Sequence, residues 1–216
     1  MDSPYLSRLA RGIEPYVPGE QPTSDGLIKL NTNENPYPPS PRVEEALRRR
    51  AARLRLYPEI DARTLREIIA RREGLSPEQV FVGNGSDEVL SFCFPAFFDP
   101  EEPVRFPAVT YSFYRVYAKL FGIPYEEVPM LPGFAVDVQG MTAGRGGAIL
   151  PNPNAPTSLE LPLAVIEDMA RAQREKGRVL VVDEAYVAFG QEPSAATLVP
   201  RYDNLLVTRT LSKDHA

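Results

Sequence analysis

Val179-Leu180-Val181-Val182-Asp183-Glu184-Ala185-Tyr186 is an unbroken run of aliphatic residues that ends on two carboxylates and an aromatic ring. Such a short, fully apolar run predicts a strand buried on both faces, because a strand with one wet face would alternate apolar and polar side chains. Similar runs recur before and after it. Pro103 to Phe106, Tyr125 to Val128, Gly147 to Leu150 and Asn204 to Thr208 read as strands, and so does Val80-Phe81-Val82. Between them lie segments with apolar residues at helical spacing: Ser86 to Phe97, Tyr111 to Phe121 and Pro162 to Gln173. Strands alternating with amphipathic helices describe an α/β fold, a mostly parallel sheet sandwiched by helices. In such sheets ligands bind beyond the carboxyl ends of the strands. The polar clusters fall there: Asn84 to Glu88, Asn152 to Thr157, Asp183 to Tyr186 and Thr210 to Lys213.

The region before this rhythm is different. Seven prolines punctuate the first forty positions (Pro4, Pro15, Pro18, Pro22, Pro36, Pro38, Pro39), which predicts an extended arm with a short helix near Pro4 to Arg11. A short strand, Leu27 to Leu30, is expected before the loop Asn31 to Pro41. Two helices follow, Arg42 to Arg53 and Asp61 to Arg72, the second with Asp61 as its N-cap.

Composition removes several classes of function. The 216 residues are 43% hydrophobic and 25% charged, ordinary values for a globular chain, and the net charge of -5 argues against nucleic acid or anionic membrane as partner. No apolar run approaches the roughly 18 residues of a membrane helix, and Met1-Asp2-Ser3-Pro4 lacks the features of a signal peptide, so a cytoplasmic location is expected. One cysteine, Cys93, excludes an internal disulfide, and its apolar surroundings mark it as a core residue. One histidine, His215, argues against a zinc site and against triad chemistry; no metal is expected. Chemistry must come from Lys, Tyr, Asp or a borrowed cofactor.

Three constellations remain. Gly83-Asn84-Gly85-Ser86-Asp87-Glu88, between a strand and a helix, can point backbone N–H groups at an anion such as phosphate; its plainer reading is a helix capped by Ser86 or Asp87. Asp183 at the end of an apolar strand needs a partner. Magnesium in a nucleotide hydrolase fits poorly without a P-loop; a protonated pyridine nitrogen fits, and so does simple capping of the next segment. Lys213, in Thr210-Leu211-Ser212-Lys213, is either a surface lysine or, beside an anion site and an acid, a Schiff-base lysine.

The order Gly85 to Glu88, Thr110 to Tyr114, Pro153 to Thr157, Asp183 to Tyr186 and Thr210 to Lys213 resembles the fold-type I pyridoxal-phosphate aminotransferases. The opening Pro15-Tyr16-Val17-Pro18-Gly19-Glu20-Gln21-Pro22, with Leu30-Asn31-Thr32-Asn33-Glu34-Asn35-Pro36, looks like the histidinol-phosphate aminotransferase family. The resemblance implies that Lys213 forms a Schiff base with pyridoxal 5'-phosphate and shuttles a proton between the substrate α-carbon and the cofactor. Asp183 would pair with the pyridinium nitrogen, Tyr186 would hydrogen-bond the phenolic oxygen, and Tyr111 would stack on the ring. Ser86, Asp87 and Ser212 would hold the phosphate. Tyr57 would reach the cofactor of a second subunit, implying a homodimer, and Tyr16 and Asn33 would lie near the substrate. The implied reaction moves an amino group from glutamate to imidazole-acetol phosphate, giving histidinol phosphate. Phe92, Phe94, Tyr114 and Tyr117 are read as core packing.

The pattern is departed from at Ala155, where many relatives carry an asparagine that bonds the cofactor; either Asn154 takes its place or Tyr186 acts alone. Ser158 replaces a usual glycine. After Lys213 the chain closes with Asp214-His215-Ala216, unlike the family's continuation. The expected organisation is therefore an arm and substrate-side loop (residues 1–40), an incomplete cofactor-binding large domain (residues 41–213) and an atypical tail (residues 214–216), with the small C-terminal domain absent. The same three motifs would serve a related decarboxylase of a phosphorylated amino acid, or a non-catalytic remnant. An incomplete sheet exposes an edge and apolar surface, so marginal stability and negligible turnover are expected of the purified 216-residue chain; a glutamate-dependent transamination assay showing turnover would overturn that.

Overall fold

The computed structural model describes Tyr5, residues 7–12 and residues 28–214. Five strands form one sheet: β1 (Val104–Pro107), β2 (Tyr125–Val128), β3 (Ala148–Pro151), β4 (Leu180–Asp183) and β5 (Leu205–Thr208). Their order is β2-β1-β3-β4-β5 and every pairing is parallel. The helices are α1 (Arg8–Arg11), α2 (Pro41–Arg50), α3 (Arg63–Glu73), α4 (Gly85–Phe97), α5 (Phe113–Phe121), α6 (Val138–Ala143) and α7 (Leu163–Glu175).

The two-residue period of a strand sorts the core into two layers. Val104, Phe106, Ile149 and Val181 point to one face and pack with Leu90 and Phe94 of α4 and Tyr114, Tyr117 and Ala118 of α5. Ala148, Leu150, Leu180, Val182 and Leu205 point to the other and pack with Met141 of α6 and Ile166, Met169 and Ala170 of α7. All four residues of β3 and of β4 are buried, as the apolar runs require. At the β2 edge Glu126 and Glu127 are exposed and ion-paired to Arg105 and Arg115, charges that discourage further pairing.

Several sequence expectations need correction. Val80-Phe81-Val82 joins no sheet. Its backbone is held instead by Arg66, whose Nε donates to the Val80 carbonyl at 2.8 Å, and Phe81 sits 66% exposed, edge-on to Phe92. An apolar run supplies strand propensity but no partner, and among the described residues no strand lies beside it. Ile28 to Leu30 likewise form no strand and are exposed (Leu27 lies outside the described residues). Asp61 is not the N-cap of α3. Ala62 holds that place in a left-handed conformation, and the Glu59 carboxylate performs the capping by accepting from the Thr64 N–H at 2.8 Å and the Thr64 hydroxyl at 2.6 Å. Among the described residues the early helix covers Arg8–Arg11, and α6 had no signal at helical spacing. In α2 no residue is buried, although Val43 and Leu47 lie on one face.

This burial pattern sets the cost of truncation. Ile149→Ala empties a fully buried site in the central strand and should destabilise by about 2–5 kcal/mol. Leu47→Ala, at a position 64% exposed, should stay within about 0.5 kcal/mol. Urea unfolding of both variants measures the contrast.

Candidate active site

A cleft of about 210 Å³ opens beyond the carboxyl ends of β3, β4 and β5, against the start of α4. Its wall includes Ser86, Asp87, Tyr111, Asp183, Tyr186, Ser212 and Lys213 from the sequence reading, and adds Asn84, Gly85, Pro151, Pro153, Ala155, Ala185 and Thr210.

Asp183 follows from the alternation along β4. It shares a face with Val181, so its carboxylate enters the α4/α5 layer while its strand-end position exposes it to the cleft. The residue is 5% exposed. Oδ2 accepts from the Tyr114 hydroxyl at 2.6 Å; Oδ1 accepts from the Thr208 hydroxyl at 3.2 Å and the Ala185 N–H at 3.2 Å. Thr208 is its register partner on β5. Burial raises the carboxyl above its ordinary value of 3.8, while these three donors pull it back down. Burial also pushes the Cys93 thiol up to about 11, with the Asp183 charge adding to it; Cys93 is a buried, unreactive core residue.

The start of α4 is shaped by Gly85, whose φ of +77° turns the chain into the helix where a side chain would be strained. Asn84 is the N-cap, so neither Ser86 nor Asp87 caps the helix. The first turn of a helix has N–H groups it cannot pair internally, a natural place for an anion. Two carboxylates crowd that turn and are both engaged: Glu88 accepts from the Asn84 N–H at 2.6 Å, and Asp87 accepts from the Tyr111 hydroxyl at 2.8 Å. Tyr111 lies parallel to Phe113, with ring centres 5.4 Å apart. Its phenol, raised by burial and by Asp87, stays protonated.

The opposite wall is built from loops. Lys213 Nζ sits 5.8 Å from the Tyr186 ring centre and donates to the Thr32 carbonyl at 3.4 Å. Asn33 donates to the Tyr186 hydroxyl at 2.9 Å, and Asn35 donates to the Lys213 carbonyl at 3.3 Å. The hydroxyls of Thr210 and Ser212 bond one another at 2.9 Å.

Two expected site residues, Asn154 and Tyr57, are not part of the cleft wall. Asn154 is buried, but its amide donates to the Val109 carbonyl at 2.9 Å and to the Thr157 hydroxyl at 3.0 Å, and Ala155 takes its place in the cleft wall. That leaves Tyr186 as the hydroxyl on this side. Ser158 adopts a φ of +58°, the conformation the usual glycine would favour. Tyr57 is fully exposed and outside the cleft. Tyr16 lies outside the described residues. Tyr114 and Thr208, read as core and strand end, prove to be partners of Asp183; parallel register alone would have placed Thr208 there.

A buried acid on the floor, an amine above it, hydroxyls and helix N–H groups at one end and an aromatic face suit a cationic heteroaromatic ring that carries a phosphate. Residues 25–216 match the model of the aminotransferase class I and II family, and the chain belongs to that family. Within it, the chain is 53% identical over 216 residues to the histidinol-phosphate aminotransferase of Acinetobacter baumannii (strain AB307-0294), covering 98% of this chain and 59% of that relative. The structure of histidinol-phosphate aminotransferase from Sinorhizobium meliloti in complex with pyridoxal-5'-phosphate superposes with a TM-score of 0.77 at 26% identity, covering 84% of this chain and 51% of that one. A Thermus thermophilus aspartate aminotransferase mutant gives a TM-score of 0.82 at 26% identity, covering 99% and 60%. The chain thus spans about 59% of the length of the curated relatives it matches. Among the described residues no helix is long and apolar enough to cross a membrane.

The buried acid has a signature in pH. Because its folded-state value is raised, the folded protein holds more protons than the unfolded chain above 3.8, and stability is lost as pH climbs from there. Asp183→Asn removes that loss. Its stability relative to the parent should therefore improve as pH rises above about 4 in chemical denaturation. A pH-independent difference would contradict the assignment.

Proposed function

We propose that this chain carries the cofactor-binding part of a pyridoxal-phosphate-dependent aminotransferase that moves an amino group between glutamate and imidazole-acetol phosphate, with 2-oxoglutarate and histidinol phosphate as the products. The observation that carries the reading is the convergence of Asp183, Lys213, Tyr186 and the α4 N-terminus on one cleft. The identity to histidinol-phosphate aminotransferases supports this choice of substrates.

When bound, pyridoxal phosphate supplies an electron sink for the bond broken at the substrate α-carbon. In this reading Asp183 holds the proton of the ring nitrogen, and the low-dielectric floor makes that ion pair strong. Tyr111 covers one ring face. The backbone N–H groups of Ser86 and Asp87, with the Ser212 hydroxyl, bind the phosphate. Tyr186, oriented by Asn33, donates to the phenolic oxygen. Lys213 Nζ, kept at the cleft by its neighbours Tyr186 and Thr32, would hold the cofactor and move the proton at the substrate α-carbon. Asn33, bonded to the Tyr186 hydroxyl, would lie near the substrate.

Exposed Leu54, Leu56, Tyr57 and Ile60 form an apolar run that favours a homodimer in which Tyr57 reaches the second subunit's cofactor. The body that binds the cofactor is residues 41–213.

Addition of pyridoxal phosphate to the purified chain should produce a visible absorption band. Borohydride reduction and peptide mapping should then place the adduct on Lys213, and Lys213→Ala should abolish the band. Adducts scattered over surface lysines would refute the site. In an activity assay, carbon dioxide release in place of amino transfer would replace the reaction with decarboxylation.

A further inference from the structure

We propose that Tyr114 is a positioning residue of the cleft: its hydroxyl, donated to Asp183 Oδ2, fixes the carboxylate in the orientation and charge state that a protonated ring nitrogen needs. The inference rests on the pyridoxal-phosphate reading of the cleft and deepens it.

Asp183 is anchored from β4, while Tyr114 comes from the first turn of α5, on the layer that packs over the same sheet face. Tyr114 is fully buried, and its ring is wedged between Phe106, 5.7 Å away, and Tyr111, 5.7 Å away and edge-on. The ring cannot swing, so the hydroxyl is a fixed point in an otherwise apolar layer. The carboxylate torsion of an aspartate is broad and two-fold, and so is set by its partners. Thr208 and Ala185 both bond Oδ1, at 3.2 Å each, which leaves the orientation of Oδ2 to the 2.6 Å bond from Tyr114.

The other groups facing Asp183 do not offer this service. Cys93 on α4 is a weak donor. Asp87 on α4 is a like charge that opposes ionisation of Asp183, and Tyr111 is committed to Asp87 at 2.8 Å. Buried in hydrocarbon, with the Asp87 charge also opposing its ionisation, Asp183 without the Tyr114 donor would be pushed further toward its neutral form and would pair less well with a cationic ring. Tyr114 keeps its own proton, held by burial and by the Asp183 charge, and so remains a donor across the working pH range.

The test compares the full chain with its Tyr114→Phe variant, using pyridoxal phosphate and a deaza analogue in which a C–H replaces the ring nitrogen. Binding is read by the absorption band and by the reduced adduct on Lys213. The variant should bind pyridoxal phosphate about tenfold more weakly, the effect of losing one hydrogen bond to a charged group, and its absorption maximum should shift. Its affinity for the deaza analogue should match that of the parent. Equal weakening toward both compounds would mean that Tyr114 only supports the fold, and no weakening toward either would mean that it does not act on Asp183; each overturns the proposal. If circular dichroism shows that Tyr114→Phe does not fold, site-specific 3-fluorotyrosine at position 114 keeps the ring and alters only the donor. The more acidic phenol donates more strongly, so a change in affinity confined to pyridoxal phosphate, opposite in sign to that of Tyr114→Phe, is then expected, and its absence again overturns the proposal. A parent chain that forms no Lys213 adduct removes the cofactor reading itself, a failure visible before any variant is compared.

Discussion

A carboxyl group inside a close-packed apolar layer constrains everything around it. Asp183 ends a strand whose other residues are all hydrocarbon, on the face shared with Val181 and covered by α4 and α5. Leaving such a group without donors would cost several kcal/mol. The fold answers with donors from three separate places: a phenol on α5, a hydroxyl on β5 and the main chain just beyond β4. Each requires a different part of the topology. The phenol needs α5 laid over the sheet, the hydroxyl needs β5 parallel and in register with β4, and the N–H needs the chain to turn immediately after the strand. The cleft exists because these conditions meet at the carboxyl ends of the strands.

This dependence explains what could be read from the sequence. β3 and β4 were legible because burial on both faces leaves no polar residue to interrupt the runs, and all five strands fall within a few residues of their expected limits. The helices that cover them were legible from their apolar spacing. Val80-Phe81-Val82 shows where that logic stops. Its composition matches β4, yet strand formation depends on a neighbour's backbone, which composition does not encode. Asp61 fails for a related reason: Glu59, two residues further away, has the longer side chain and reaches the Thr64 N–H first. In the cleft, the motifs located Asp183, Tyr186 and Lys213, but an aromatic on an apolar helix face reads as packing whether or not its hydroxyl has a task. Tyr114 is both, and only the facing strand reveals the second role.

The start of α4 shows how a site for an anion can carry acidic side chains. Asp87 and Glu88 sit in the first helical turn, where negative charge is stabilised by the helix dipole but competes with any bound phosphate. Glu88 spends its carboxylate on the Asn84 N–H, and Asp87 accepts from Tyr111. Both charges are thereby turned to local hydrogen bonds. Tyr111 is the hinge of the arrangement: one end quiets Asp87, and its ring forms the cleft wall edge-on to Tyr114. The anion end and the acid end of the cleft are therefore joined through two neighbouring phenols on α5 and the turn before it.

The two walls differ in how firmly they are held. Asp183, Thr208 and Tyr114 lie within the core, where each is fixed by packing as well as by hydrogen bonds. Lys213, Ser212 and Asn33 lie on loops, and their mutual bonds (Asn33 to Tyr186, Lys213 to Thr32, Asn35 to Lys213) are long-range contacts between partly or fully exposed groups. Water competes for such bonds, so each contributes little by itself. Most of segment 28–62 that supplies Thr32, Asn33 and Asn35 is exposed, and α2 within it buries nothing. The acid floor should thus persist whenever the sheet is folded, whereas the lysine wall depends on a segment with little packing of its own. A cofactor that bonded to both walls would convert that weak association into a closed site, gaining affinity only after ordering the loop, and the order of those events would fix which residues govern binding: Asp183 and Tyr114 would set how well the ring is held, and the 28–40 segment would set how often Lys213 is in place to meet it.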